Sequence, residues 1–292
     1  MKAFEKMHPV IPMIYFSAMI FITMFTVNPV LLAVSFFGAV SFCGMLVGAR
    51  KLASSLAYSV PVLLLISLTN PIFSHNGETI LFFMNDNPVT LEAVCYGFAV
   101  GVMIMSVFYW FKCFNAVMSS DKFIYLFGRV IPKLALLLSM TLGFIPKLKR
   151  RYKEIDSAQK ALGIYTSKSF VDRLRSKMRV MSILVTWSLE SSVETGDSMR
   201  ARGYGLKGRT SYSIFRWTVR DTVTIIITLV LIAAVCYLVT VVPSYSFYPT
   251  FAPLALDAFA ISLYACLFAL MFLPTICEIK ENLSWQYLKS KI

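Results

Sequence analysis

MHPVIPMIYFSAMIFITMFTVNPVLLAVSFFGAVSFCGMLVGA, residues 7–49, runs for 43 positions without a Lys, Arg, Asp or Glu. A helix needs about 20 apolar residues to cross a hydrocarbon core of roughly 30 Å at 1.5 Å per residue, so this stretch suffices for two crossings. A second charge-free run of 35 residues separates Asp221 from Asp257. The 292 residues are 58% hydrophobic and 15% charged, against roughly 45–50% and 25% in soluble domains. An ordinary soluble globule is excluded. The expected fold is all-α, a polytopic membrane helical bundle.

Apolar segments lie at 10–27, 30–48, 52–73, 89–111, 123–145, 222–243 and 252–274. Positive residues are retained on the cytoplasmic side during insertion, which fixes the expected topology. Lys2 and Lys6 put the N-terminus inside, Arg50 and Lys51 mark an inside turn, and the 74–88 loop, with Glu78 and Asp86 but no Lys or Arg, lies outside. Lys280, Lys289 and Lys291 put the C-terminus inside after a hairpin that turns outside through Pro243 to Pro253. If 123–145 crossed, it would deliver the following basic block to the wrong face. Arg129 and Lys133 beside Pro132 also each add roughly 2.5–3.5 kcal/mol at a span centre. Six spans are therefore expected, plus a membrane-abutting helical segment. The N-terminal apolar stretch reads as a retained span, because no small-residue cleavage site in a polar region follows it. The expected divisions are 1–122, four spans; 123–221, membrane-abutting and cytoplasmic helices; and 222–292, a two-span hairpin and tail.

The net charge of +13 is concentrated: residues 146–220 hold 17 of the 28 basic residues and 6 of the 15 acidic ones. A membrane neighbour accounts for that sign, so no nucleic-acid partner is invoked. Apolar residues at Ile145, Leu148, Tyr152, Ile155, Ala158 and Leu162 have helical spacing, and Gly163 supplies a stop. Ser169 and Asp172 resemble a capping box, after which Phe170, Leu174, Met178, Met181, Val185 and Leu189 continue at three- and four-residue steps. This second helix is expected to end near Ala201, Arg202 and Gly203. Two long amphipathic helices in succession between spans suit an arm that meets a partner better than an isolated lipid-surface helix.

Ala93, Gly97 and Gly101 recur at four-residue spacing, and Gly44 and Gly48 repeat it. Such spacing lets helix backbones approach closely, within the chain or against another membrane protein. Thr90 and Glu92, and Asp257, sit at span ends as capping residues. The six cysteines have no C-x-x-C spacing and read as reduced packing residues. His8 and His75 are too far apart for a metal site. GYGLKGRT, 203–210, approaches a phosphate loop but has Arg209 at the lysine position and follows a helix rather than a strand. No catalytic motif is present, and no cofactor is expected. A stand-alone channel or secondary transporter would require mid-membrane ionisable groups and internal repeats, which the chain lacks. An enzyme acting on lipid would have only Glu92 and Asp257, at separate span ends.

Residues 199–221, MRARGYGLKGRTSYSIFRWTVRD, resemble the cytoplasmic end of the transmembrane T component of energy-coupling-factor transporters, the EcfT/CbiQ family. EKMHPVIPMIYF at 5–16, NPVLLAVSF at 28–36 and IPKLALLLSMTLGFIPK at 131–147 extend the resemblance over most of the chain. It implies a bacterial plasma-membrane complex of this scaffold, two ABC-type ATPase subunits and a substrate-binding S component for vitamin or metal-ion uptake, with ATP bound by the ATPases. It further implies that two cytoplasmic helices, each ending in Ala-Arg-Gly, dock on the ATPases. Ala201, Arg202 and Gly203 match that motif. Ala161, Leu162 and Gly163 depart from it at Leu162, and Gly143 stands where the family commonly has Arg. The small-residue positions Ala93, Gly97, Gly101, Gly44 and Gly48 are the candidates for helix packing or S-component contact.

Overall fold

The computed structural model describes residues 4–74, 76–84, 87–128, 130–163, 170–206 and 215–290. Arg129, His75, Asp86, Ser169 and residues 207–210 of the GYGLKGRT stretch lie outside the described residues. The chain divides into two compact units, residues 1–122 with 215–292, and residues 123–214. The N- and C-terminal membrane regions, separate in the sequence reading, thus form one unit.

Unit 1 contains α1 (Val10–Phe25), α2 (Pro29–Val47), α3 (Ala49–Phe73), α4 (Leu91–Val117), α8 (Val219–Val241) and α9 (Ala258–Lys289). Five of these, α2, α3, α4, α8 and α9, are long and apolar enough to cross a membrane. The remaining one of the six expected spans, α1, has only 16 residues, about 24 Å of helix. One face of it is enclosed: Ile11, Tyr15, Phe16 and Met19 are at most 1% exposed and pack with Phe42, Tyr109, Trp110 and Leu270. Two buried hydroxyls pair with each other, which lowers their cost in hydrocarbon: Thr23 and Ser35 share a 2.7 Å bond, and the Trp110 indole donates to Ser35 at 3.1 Å.

Helix ends follow local chemistry. Asn28 accepts from Val30 N at 3.0 Å and Pro29 occupies the first turn of α2, a position that needs no amide donor. Gly48, at φ +92°, turns α2 directly into α3, a backbone state that favours glycine. Thr90 caps α4 through Ala93 N at 3.3 Å. Asp257 occupies the cap position of α9, but its side chain makes no capping bond, contrary to expectation. The 74–88 region, expected as a loop, contains an antiparallel pair, β1 (Ile80–Met84) and β2 (Asn87–Thr90), which pairs Ile80 with Thr90 and Phe82 with Val89. ILFFM lacks the polar alternation that marks a strand with one wet face. Helix α9 also runs through Pro274 to Lys289, where a tail was expected.

Helix α5 (Ser120–Gly128) starts in unit 1 and continues into unit 2, which holds α6 (Pro132–Ala161) and α7 (Phe170–Ala201). The sequence reading broke the chain near Ile145, whereas α6 continues through Pro146. The break falls at Ile131, which is non-helical before Pro132 because proline disfavours α geometry in its predecessor. Helices α6 and α7 pack on each other. Phe144 and Trp187 stack at 5.8 Å and 6°, and the Arg151 guanidinium lies 5.5 Å from the Trp187 ring. Along α7 the inward residues are Ser176 and Val180, while Phe170, Leu174, Met178, Met181, Val185 and Leu189 are exposed. The apolar stripe read from the sequence therefore faces outward, and large side chains, Phe144, Arg151 and Trp187, meet between the two helices.

The close approach of α4 to α3 is set by Gly97, where an added Cβ would sit 2.5 Å from Ser67 O and 3.0 Å from Asn70 Cβ. Gly97→Ala is expected to lower stability in detergent by about 1–3 kcal/mol. Gly143→Ala, where an added Cβ meets nothing within 4 Å, should instead gain up to about 1 kcal/mol. Thermal unfolding of the two variants measures both. Trp187→Ala removes the stacked pair and its cation, a loss of about 1–2 kcal/mol that amide exchange along α6 and α7 detects as faster opening.

Candidate functional site

The two sequence motifs occupy equivalent places at the C-termini of α6 and α7. Helix α6 ends at Ala161, with Leu162 N donating to Ala158 O at 3.1 Å and Gly163 N to Lys160 O at 3.0 Å. Helix α7 ends at Ala201, with Arg202 N donating to Ser198 O at 3.1 Å and Gly203 N to Arg200 O at 3.0 Å. Gly163 and Gly203 have φ +73° and +78°, the left-handed state that terminates a helix and that a side chain opposes. At the second end, Tyr204 N also reaches Met199 O at 3.0 Å, closing the six-residue ring of a Schellman turn.

The ends match in backbone but differ in side chain. Leu162 is 75% exposed. Ala161, Gly163, Ala201 and Arg202 are also exposed, and Arg202 makes no ion pair among the described residues. A guanidinium in that position presents a planar fork suited to a carboxylate, while Leu162 presents only an apolar tip. Lys160 and Arg200 stand in the last turns, where cations complement the helix dipole.

Upstream on α6, Arg150 and Arg151 both engage Glu154, at 3.3 and 3.1 Å. The hydrogen bond from Arg151 is the main reason that the Glu154 carboxyl is held below its ordinary value. A depressed carboxyl lends stability above its unfolded value and loses it as pH falls, so this cluster is intact at neutral pH and opens only in acid. Lys147, Arg150, Arg151, Glu154 and Trp187 line an open hollow of about 210 Å³. Lys160 is shifted upward by its 2.7 Å bond to Asp156.

The small-residue candidates go elsewhere. Ala93 is fully buried, and its carbonyl accepts from Asn70 Nδ2 at 2.8 Å. Gly97 and Gly101 face α3, with Ser67 O and Leu63 O their nearest neighbours, and Gly44 abuts Leu52. Gly48 has no neighbour within 4 Å of an added Cβ and serves the turn. These positions are used within the chain.

The segment after the motif is anchored by contacts that no local sequence pattern announces. Thr218 and Asp221 form a capping box on α8. Asp221 Oδ1 also accepts from His8 N at 3.3 Å, and the His8 ring lies 4.6 Å from Trp217. Arg220 bonds Glu281 on α9 at 2.8 Å, and Phe4 N donates to Glu278 at 3.4 Å. Lys122, which is 5% exposed, donates to the carbonyls of Glu5 and Val117, and burial pushes its amine down. A T-x-x-D pattern at 218–221 was visible in the sequence; its contact with a residue 213 positions away was not.

Comparison with known proteins adds the lineage. The family described as CbiQ, cobalt transport protein, matches residues 4–212. Relatives described as "Energy-coupling factor transporter transmembrane protein EcfT" include one from Listeria innocua, 37% identical over 32% of this chain and 36% of that protein. Another from Bacillus subtilis is 34% identical over 37% and 41%, and one from Streptococcus thermophilus is 33% identical over 42% and 48%. Each of these matches spans less than half of the relative's length. With the family match extending from the first described residue past both helix ends, the chain belongs to the EcfT/CbiQ family of multi-pass transmembrane proteins.

Proposed function

We propose that this chain is the transmembrane scaffold and transducer of an energy-coupling-factor importer in a bacterial plasma membrane, with both termini cytoplasmic. The ends of α6 and α7 dock two ABC-type ATPase subunits. Movement driven by ATP hydrolysis passes through the hairpin to a substrate-binding S component that carries a vitamin or metal ion. The chain itself is non-catalytic and needs no cofactor, because ATP is bound by the partner subunits.

The observation that carries this reading is the paired geometry at 161–163 and 201–203: two exposed helix ends, on adjacent packed helices, closed by the same left-handed glycine. Two like partners call for two like docking elements. Family membership and the printed names of the relatives support the same assignment. Positive charge on α6 and α7 supports a cytoplasmic location for them, and the exposed apolar stripe on α7 supplies surface for a partner to cover.

Arg202→Ala is expected to weaken ATPase association by about 2–5 kcal/mol, the usual effect of truncating one member of a buried interfacial charge pair. Leu162→Ala, which removes only apolar contact, should lose about 1–3 kcal/mol, with less dependence on salt than the Arg202 contact. Co-purification of the ATPases from detergent at graded ionic strength measures both, and undiminished recovery with Arg202→Ala contradicts the assignment.

A further inference from the structure

Unit 1 contains a cavity of about 520 Å³ bounded by α2, α3, α4 and the connection between α8 and α9. Leu32, Ala99 and Phe247 are buried at its base, and Phe98 and Phe251 are exposed at its rim. No Lys, Arg, Asp, Glu or His lines it; Ser67, Cys95 and Tyr245 are its polar side chains. Its helical residues reach from Pro29 at the start of α2 to Val102, eleven positions into α4, about 16 Å along that axis. The cavity therefore extends well into the apolar part of the spans.

The fourth wall is held by ring contacts and one hydrogen bond. Tyr245 meets Phe247 edge-on at 4.9 Å, Tyr96 meets Phe247 at 5.5 Å, and Asn70 Nδ2 donates to the Tyr248 hydroxyl at 3.4 Å. Small residues keep the space open, since Ala33, Ser67 and Ala99 stand where a leucine or phenylalanine would fill it. Water has few partners in such a site, and apolar cavities take apolar guests instead. The rim is continuous with the lipid-facing surface of spans α3 and α4, where Leu64, Leu68 and Phe98 are exposed. Acyl chains are the apolar molecules at that surface.

We propose that this cavity binds one acyl chain of a membrane lipid and holds it against the α2–α4 seam. Selection is for the chain, and the headgroup is uncharged or zwitterionic: residues 52–111 and 222–279 contain no Lys or Arg, while Glu78, Glu92 and Asp257 lie in the surrounding segments.

The test uses the full chain, with its co-purifying subunits, in phosphatidylcholine nanodiscs containing a phosphatidylcholine with a diazirine in its acyl chain. After irradiation, label is expected to concentrate on peptides covering 94–102 and 245–251 above the level on lipid-exposed α3. Ala33→Phe fills the cavity from an exposed position and should abolish that excess while leaving α3 labelling unchanged. Phe251→Ala, which opens the rim, is a second variant and should reduce the excess. Labelling no higher than on α3, labelling unaffected by Ala33→Phe in folded protein, or exclusion of label by a partner subunit seated in the cavity would each overturn the proposal.

Discussion

Charge cannot remain in hydrocarbon, and the rest of the structure follows from where it goes. A central Lys or Arg adds roughly 2.5–3.5 kcal/mol to insertion of a span, so the five membrane-length helices are nearly free of them, and 17 of 28 basic residues fall within 146–220. That segregation yields two units with different interiors. One buries rings and paired hydroxyls around α1. The other is a pair of amphipathic helices joined by the Phe144–Trp187–Arg151 stack.

The hairpin's outward face is unusual for a finished surface. Phe170, Leu174, Met178, Met181, Val185 and Leu189 all remain exposed along α7, as do Leu137, Leu138, Leu142 and Ile145 on α6. Apolar area on this scale marks a surface that meets protein or lipid. The helix ends share a backbone form, whereas Arg202 and Leu162 make them unequal in chemistry; under the proposed docking, the Arg202 contact is the more salt-sensitive of the two.

Much of this was legible because membrane spans and helix stops are written locally. Apolar segments placed α2, α3 and α8 to within a few residues but ended the fourth span at 111, short of the Val117 end of α4, and Gly163 and Gly203 marked the ends of α6 and α7. What failed was information held between distant segments. Periodicity identified an apolar stripe on α7 but could not say that Ser176 and Val180 would be the buried residues and the stripe exposed. Apolar spacing starts a helix at Ile145, yet the helix begins at Pro132. The anchoring of 217–221 by His8, and the use of Gly97 against Ser67, depend on pairings that no local pattern encodes.

Site-specific photocrosslinking in intact cells tests the central claim most directly, with a benzophenone amino acid replacing Leu162 in one strain and Tyr204 in another, so that Arg202 is retained. The account predicts adducts with the ATPase subunits from both positions. Adducts with no ATPase subunit from either position, in cells where the full complex assembles, would contradict it.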